Sequence, residues 1–173
     1  DNRFLKETDR PDGKLVGCNT DIDGFRYMAR RAGISLAGKK VVILGSGGAS
    51  LTAQAAARQE GAAEITVISR SGPDNYENLG RHADAQVLVN TTPVGMYPKN
   101  GEQPVDLAVF PALEGVLDVI YNPRRTALLL QGAARGIPCS DGLPMLVAQA
   151  SAAEERFFGK TIPAGEHARI LAQ

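Results

Sequence analysis

The residues best suited to chemistry lie in a glycine-rich stretch at 41–50, VVILGSGGAS. Four apolar residues precede Gly45, and an alanine-rich run follows Gly48, which predicts a strand, a tight turn and a helix. Gly45 would permit the turn, Gly47 would let a pyrophosphate approach the backbone, and the helix N-terminus would offer unpaired N–H groups. Ser50 stands where the dinucleotide fingerprint usually has Gly or Ala, so plain packing of a strand on a helix is the alternative. The predicted phosphate loop is Gly45, Ser46, Gly47, Gly48 and Ala49.

Polar residues and glycines follow the other predicted strands as well, which we place at 64–69, 86–90, 115–121 and 137–140. Helices between successive strands make the sheet parallel and doubly wound, and ligands bind such sheets outside the carboxyl ends of the strands. The sequence therefore predicts a three-layer, Rossmann-like α/β fold with a cofactor site at one edge. The strand-end residues are Ser69, Arg70, Ser71, Asn90, Thr91, Thr92, Tyr121, Asn122, Asp141 and Gly142.

The remaining segments are predicted to frame this sheet. Residues 1–20 form a ribbon with its turn at 9–13 and its returning strand at 14–18, and residues 21–173 form the cofactor-binding domain. Helical spacing predicts helices at 21–31, with Thr20 as N-cap, from Pro123 to Gly136, after Gly142, and at 165–171. The helix after Gly142 is predicted to bury one apolar stripe made of Leu143, Leu146, Val147, Ala150, Ala153 and Phe157.

The residues after the second strand of the domain bear on the choice of cofactor. Sheets that bind NAD usually carry an acid there for the ribose 2′-hydroxyl, whereas this chain has Ser69, Arg70 and Ser71. A guanidinium flanked by two hydroxyls suits a 2′-phosphate, so the sequence favours NADP over NAD. The alternative is that Arg70 is a solvated loop residue.

Composition limits the other classes of function. The 173 residues, 43% of them hydrophobic, suffice for one α/β domain, and 19 basic residues balance 19 acidic ones, so neither a nucleic acid nor a membrane surface is an expected partner. Cys18 and Cys139 lie far apart, and His82 and His167 are the chain's two histidines. We therefore expect no metal site and a reducing, cytoplasmic location.

Six motifs together carry a family resemblance: KLVGCNTD at 14–21, GSGGAS at 45–50, SRS at 69–71, NTTPVGM at 90–96, DVIYNPRRT at 118–126 and SDGLPMLVAQA at 140–150. In this order and approximate spacing they resemble those of shikimate dehydrogenases, and they cover nearly the whole chain. The resemblance implies NADP-dependent interconversion of 3-dehydroshikimate and shikimate, in the route to aromatic amino acids.

The resemblance also assigns roles to single residues. It implies that Asp21 is a substrate-binding carboxylate that partners a catalytic lysine, and that Tyr121 and Gln149 contact the substrate. It places residues 45–49 and 69–74 in the cofactor loops, and it puts four residues around the ribose and nicotinamide: Thr91, Thr92, Val119 and Gly142.

One part of the family's pattern has no match in this sequence. The family's amino-terminal domain carries the catalytic lysine, and none of Lys6, Lys14, Lys39, Lys40, Lys99 and Lys160 lies in such a motif. The expectation is thus a carboxyl-terminal NADP-binding half that is inactive by itself and whose partners are shikimate or 3-dehydroshikimate and the missing domain. The alternatives are a stand-alone NADP-binding module without catalysis, and an enzyme that also uses quinate.

Overall fold

A five-stranded parallel sheet forms the centre of the molecule. The computed structural model of the chain describes Leu5–Lys6, Val16–Gly17 and residues 19–172. The sheet is built from β3 (Lys40–Leu44), β4 (Glu64–Ile68), β5 (Val87–Asn90), β6 (Gly115–Asp118) and β7 (Cys139–Ser140), in the order β4-β3-β5-β6-β7. The chain moves from β3 to one side for β4 and to the other side for β5. The sheet therefore has its topological switch point between β3 and β5.

Helices and short connections cover both faces of this sheet. They are α1 (Thr20–Arg31), α2 (Gly48–Gln59), α3 (Ala127–Ala134), α4 (Leu143–Phe158) and α5 (Ala164–Leu171), with 3₁₀ turns at Leu79–His82 and Leu107–Val109. Alternate residues of a strand point to opposite faces, so Val41 and Ile43 pack with α1 and α2, while Val42 and Leu44 pack on the other side. The second core includes Leu107 and Phe110 near the 3₁₀ turn, and Leu128 and Leu129 of α3. The three-layer, doubly wound prediction is confirmed.

The first helix is tied to the fourth at one close contact. A β-carbon on Gly24 of α1 would lie 2.6 Å from the carbonyl oxygen of Met145 and 3.1 Å from Cβ of Gln149. Only a glycine lets the two helix backbones approach to this distance. The N-cap of α1 is Asn19, whose side chain accepts from the Asp21 amide at 2.9 Å, so the prediction of Thr20 is wrong by one residue. The reason is that Thr20 already lies inside the helix, so the residue before it supplies the capping oxygen.

Helix α4 does not bury the apolar stripe that its spacing predicts. Leu146 is 37% exposed and Phe157 is 65% exposed, whereas the buried residues of α4 are Pro144, Ala148 and Ser151. The close approach at Gly24 explains this, because a tight contact between helix backbones selects small side chains for the shared face.

Two predicted boundaries near the sheet edge also differ. Strand β6 ends at Asp118 rather than at 121, and α3 begins at Ala127 rather than near Pro123. Thr126 is the N-cap of α3, and its hydroxyl accepts from the Leu129 amide at 3.3 Å. Residues 119–126 therefore form a loop at the carboxyl edge of the sheet, which adds to the surface available there.

The amino-terminal ribbon is partly described. Strand β1 (Leu5–Lys6) pairs antiparallel with β2 (Val16–Gly17), as predicted for a hairpin. The predicted turn at 9–13 lies outside the described residues, and the division of the chain at residue 20 stays a prediction. In the described part of the chain, no helix has both the length and the apolar character needed to cross a bilayer.

Candidate functional site

The glycine-rich turn lies at the carboxyl end of β3, beside the switch point. Gly45 has φ +99°, and a β-carbon there would lie 2.9 Å from Oγ1 of Thr91. The Gly45 amide donates to the Ile68 carbonyl at 2.8 Å, and the Thr91 amide donates to the Leu44 carbonyl at 2.9 Å. The turn is thus clamped between its two neighbouring strands and requires glycine at its first position.

The start of α2 is open to solvent on the side that a dinucleotide would occupy. Gly47 is the N-cap of α2, and a β-carbon on it would meet no atom within 4 Å. Ser46, Gly47 and Gly48 are exposed and Ala49 is half-buried. The first-turn amides of a helix have no acceptor within it, so this end of α2 has donors and free space for a phosphate. Ser50 is fully buried, and its hydroxyl accepts from Nε2 of Gln54 at 3.2 Å.

A second polar loop follows β4. Ser69 is half-buried, while Arg70 and Ser71 are exposed. The Ser69 amide donates to the Asp74 carbonyl at 3.1 Å, and Asp74 Oδ1 lies 2.8 Å from Nε2 of His82, which ties the loop to the 3₁₀ turn. No ion pair involves Arg70 among residues 19–172. Its guanidinium is available to an anion at the outer edge of the sheet.

Burial raises the pKa of the nearby Tyr76 phenol, and the positive charge of Arg70 partly opposes that rise. The Arg70 guanidinium therefore lies near enough to the Tyr76 phenol for its charge to be felt there.

A cleft of about 360 Å³ opens where the loops after β5 and β6 meet. Five residues singled out in the sequence line it, namely Thr91, Thr92, Val119, Tyr121 and Asn122. Tyr121 is 52% exposed, so it is not an aromatic residue packed in the core. Sequence reasoning did not single out the other lining residues, although the motifs NTTPVGM and DVIYNPRRT contain all of them except Tyr97; they are Pro93, Met96, Tyr97 and Ile120.

Asp21 and Gln149 do not line this cleft. Asp21 is half-buried in the first turn of α1, and Gln149 is half-buried beside Gly24, one turn further along α1. The contact between α1 and α4 thus places Gln149 about one helical turn from Asp21 along α1. Gly142, at the N-terminus of α4, donates to the Ile120 carbonyl at 2.9 Å and so joins the start of α4 to the wall of the cleft.

A buried carboxylate lies beneath the cleft. Asp118 ends β6 with no exposed surface and accepts hydrogen bonds from Asn90, Ile120 and Thr126. Burial, which disfavours the charged form, raises the pKa of Asp118 to about 6, although the three hydrogen bonds oppose that rise. The sequence placed Asp118 inside a predicted strand and at the start of the motif DVIYNPRRT, but it did not identify the partners of the carboxylate. In the described residues, no group of three or more metal-ligating side chains is placed to hold an ion.

The comparisons with known proteins agree on one kind of enzyme. No protein-family model matches the chain. It is 33% identical over 175 residues to the shikimate dehydrogenase (NADP(+)) of Symbiobacterium thermophilum, an alignment that covers 87% of the chain and 60% of that relative. The chain therefore spans about three fifths of the length of the curated relative.

Solved structures give the same result. The crystal structure of shikimate dehydrogenase 1 from Peptoclostridium difficile superposes with a TM-score of 0.81 at 35% identity, covering 97% of this chain and 63% of that one. The Thermus thermophilus shikimate 5-dehydrogenase, solved in complex with NADP(H) and shikimate, superposes with a TM-score of 0.77 at 30% identity, covering 92% of this chain and 65% of that one. The likeness thus extends over nearly all of this chain.

Proposed function

Because this chain belongs to the shikimate dehydrogenase family, we propose that it forms the NADP-binding half of an enzyme that interconverts 3-dehydroshikimate and shikimate. The observation that carries the proposal is the open N-terminus of α2 behind the Gly45 turn, with Arg70 unpaired among the described residues at the neighbouring strand end. These groups fit a ligand that carries a pyrophosphate and a further phosphate, as NADP does. The relative in complex with NADP(H) and shikimate supports this identification.

The chain's own residues would hold the cofactor at three points. Residues 45–49 would take the pyrophosphate on backbone amides, and Arg70 with Ser69 and Ser71 would take the 2′-phosphate. Thr91, Thr92, Val119 and Gly142 would border the ribose and the nicotinamide, which supplies the hydride when the cofactor is bound. The mostly apolar cleft would border the reacting face of the nicotinamide.

The substrate would lie beyond the cleft, between Tyr121 and the pair Asp21 and Gln149. A phenol and a carboxamide can bond to the hydroxyls of a small cyclic acid, and Asp21 would orient a lysine that residues 1–173 do not supply. We propose a cytoplasmic enzyme of aromatic amino acid biosynthesis, in which this chain holds the cofactor and a further domain supplies the lysine.

The test uses Gly47, the N-cap of α2. Gly47→Thr keeps an acceptable N-cap, and its side chain has free space in the protein, so the fold should be unaffected. The same side chain would occupy the space that the pyrophosphate requires. We expect calorimetry to show NADPH binding to the wild-type chain and at least about a tenfold loss in the variant, equal to about 1.4 kcal/mol.

The matched control is Gly80→Thr, because a β-carbon on Gly80 also meets no atom within 4 Å and Gly80 lies outside the proposed site. It should bind NADPH as the wild type does. Undiminished binding by the Gly47 variant would contradict the proposed site, and no NADPH binding by the wild type would contradict the proposed function.

A further inference from the structure

The carboxylate of Asp118 joins three segments that are separate in the sequence. Its Oδ1 accepts from Nδ2 of Asn90 at 3.0 Å and from the Ile120 amide at 3.1 Å. Its Oδ2 accepts from Oγ1 of Thr126 at 2.7 Å. Asn90 ends β5, Ile120 lies in the loop after β6, and Thr126 caps α3, so a single side chain links all three.

The network continues from Asn90 into the cleft. Oδ1 of Asn90 accepts from the Thr92 amide at 3.0 Å and from the Thr92 hydroxyl at 2.7 Å. Thr92 and Ile120 both line the cleft, on the loops after β5 and β6. The two loops that face each other across the cleft are therefore anchored to the same carboxylate oxygen, Oδ1.

Stability alone gives little reason for a carboxylate at this position. No Lys or Arg pairs with Asp118 among residues 19–172. The charged group that acts on its carboxylate is Asp141, which carries the same charge and is itself paired with Arg124. Burial of a charge compensated by hydrogen bonds alone is costly. What the carboxylate provides is three acceptor positions that a single apolar or hydroxyl side chain could not offer.

We propose that Asp118 is a positioning residue for the cofactor cleft, which fixes the loops of Thr92 and Ile120 relative to each other through its Oδ1 atom. The inference rests on the proposed function, since it assumes that the nicotinamide end of the cofactor lies between these loops. The two oxygens have separate tasks: Oδ1 holds the cleft loops, and Oδ2 holds the N-terminus of α3 through Thr126.

This division gives a test with three variants, each assayed for NADPH affinity and for stability in urea. Asp118→Ala removes both oxygens and should weaken NADPH binding about tenfold or more, equal to about 1.4 kcal/mol. Thr126→Val removes the partner of Oδ2 alone, so it should lower stability while affinity stays within about twofold. Asp118→Asn keeps one acceptor oxygen for Asn90 and Ile120, so it should restore affinity to within about twofold of the wild type.

A merely structural role would produce a different pattern, in which affinity falls in proportion to stability in all three variants. That result would overturn the inference, as would wild-type affinity in Asp118→Ala. If Asp118→Ala does not fold, Asn90→Ala replaces it, because it cuts the link between Asp118 and Thr92, and the same tenfold loss is expected.

One measurement needs no variant. The Thr92 and Ile120 amides should exchange with deuterium slowly in the wild type, since both donate to the network. Exchange at the rate of unprotected amides would overturn the inference. Failure of the wild type to bind NADPH would instead overturn the proposed function, and the inference with it, so the two failures are distinguishable.

Discussion

At the scale of single residues, the exposed Arg70 is the group on which the proposed cofactor preference depends. The loop after β4 carries no acid at residues 69–71, and Arg70 forms no ion pair in the described part of the chain. A 2′-phosphate would give it a doubly charged partner with which its planar fork can form two bonds.

Arg70→Ala should therefore reduce the preference for NADPH over NADH. The difference in binding free energy between NADPH and NADH should shrink by about 1.5 to 3 kcal/mol. The lower value is expected because solvent and salt screen an exposed guanidinium. Calorimetry with both cofactors measures it, and Arg31→Ala, a second exposed arginine on α1, is the control. Equal affinity of the wild type for the two cofactors would contradict the prediction.

Because Asp118 is buried and its pKa is raised, the stability of the protein should depend on pH. Its pKa in the folded protein is about 6, raised from 3.8, so the folded state binds more protons than the unfolded state between these values. The contribution of this group to stability is therefore present at low pH and is lost as the pH rises through 6.

Asp118→Asn lacks this titration. The difference in the free energy of unfolding, wild type minus variant, should rise by about 2 kcal/mol from pH 7.5 to pH 4.5. Urea unfolding at the two pH values measures it. A difference that does not change with pH would mean that Asp118 is charged across this range.

At the scale of elements, the contact between α1 and α4 fixes the positions of Asp21 and Gln149. The backbones approach at Gly24, where a β-carbon would lie 2.6 Å from the Met145 carbonyl oxygen. The residues that α4 buries are Pro144, Ala148 and Ser151 rather than its large apolar residues.

Gly24→Ala should force the two helices apart. Overpacking costs about 1 to 3 kcal/mol, which exceeds the roughly 0.5 to 1 kcal/mol gained by replacing glycine within a helix. Gly165→Ala in α5 is the matched control, since its β-carbon meets nothing within 4 Å and it should be neutral or stabilising. Thermal unfolding compares the two, and equal midpoints would show that the contact at Gly24 is loose.

At the scale of the whole molecule, Lys39 and Lys40 lie at the edge of the sheet opposite the proposed cofactor site. Lys40 ion-pairs with Glu64 and Asp84, and Lys39 pairs with Glu114. Lys39 precedes β3 and Lys40 begins it, so both lie at the end of β3 opposite the glycine turn. Both ammonium groups are already paired with carboxylates.

Residues 1–173 by themselves should bind NADPH without turning over shikimate at a useful rate. A positioned acid or base raises the reaction rate about 10²- to 10⁴-fold. A cleft that is open on the substrate side also does not hold the substrate in the reactive orientation. The measurement is NADPH formation by this chain and by the same chain joined to the part of a shikimate dehydrogenase that it does not match. Comparable rates would contradict the prediction, and Lys99, in the turn after Tyr97, would then be the first residue to replace.

Local signals were sufficient for the sheet and for the phosphate turn. The apolar runs ending at Gly45 and Asn90 and the strand-end polar residues predicted five parallel strands and one polar edge, because strand periodicity and glycine turns are properties of neighbouring residues. The family resemblance came from motifs that are short and local as well.

Contacts between distant segments were decided only by the tertiary structure. The buried face of α4 depends on Gly24, which lies more than a hundred residues away, so periodicity within α4 predicted the wrong stripe. The environment of Asp118 depends on Asn90 and Thr126 from other elements, and a pKa follows burial and partners rather than residue type. The sequence by itself thus determined which edge of the sheet carries the glycine turn and the strand-end polar residues, and long-range packing determined which side chains shape the cleft there.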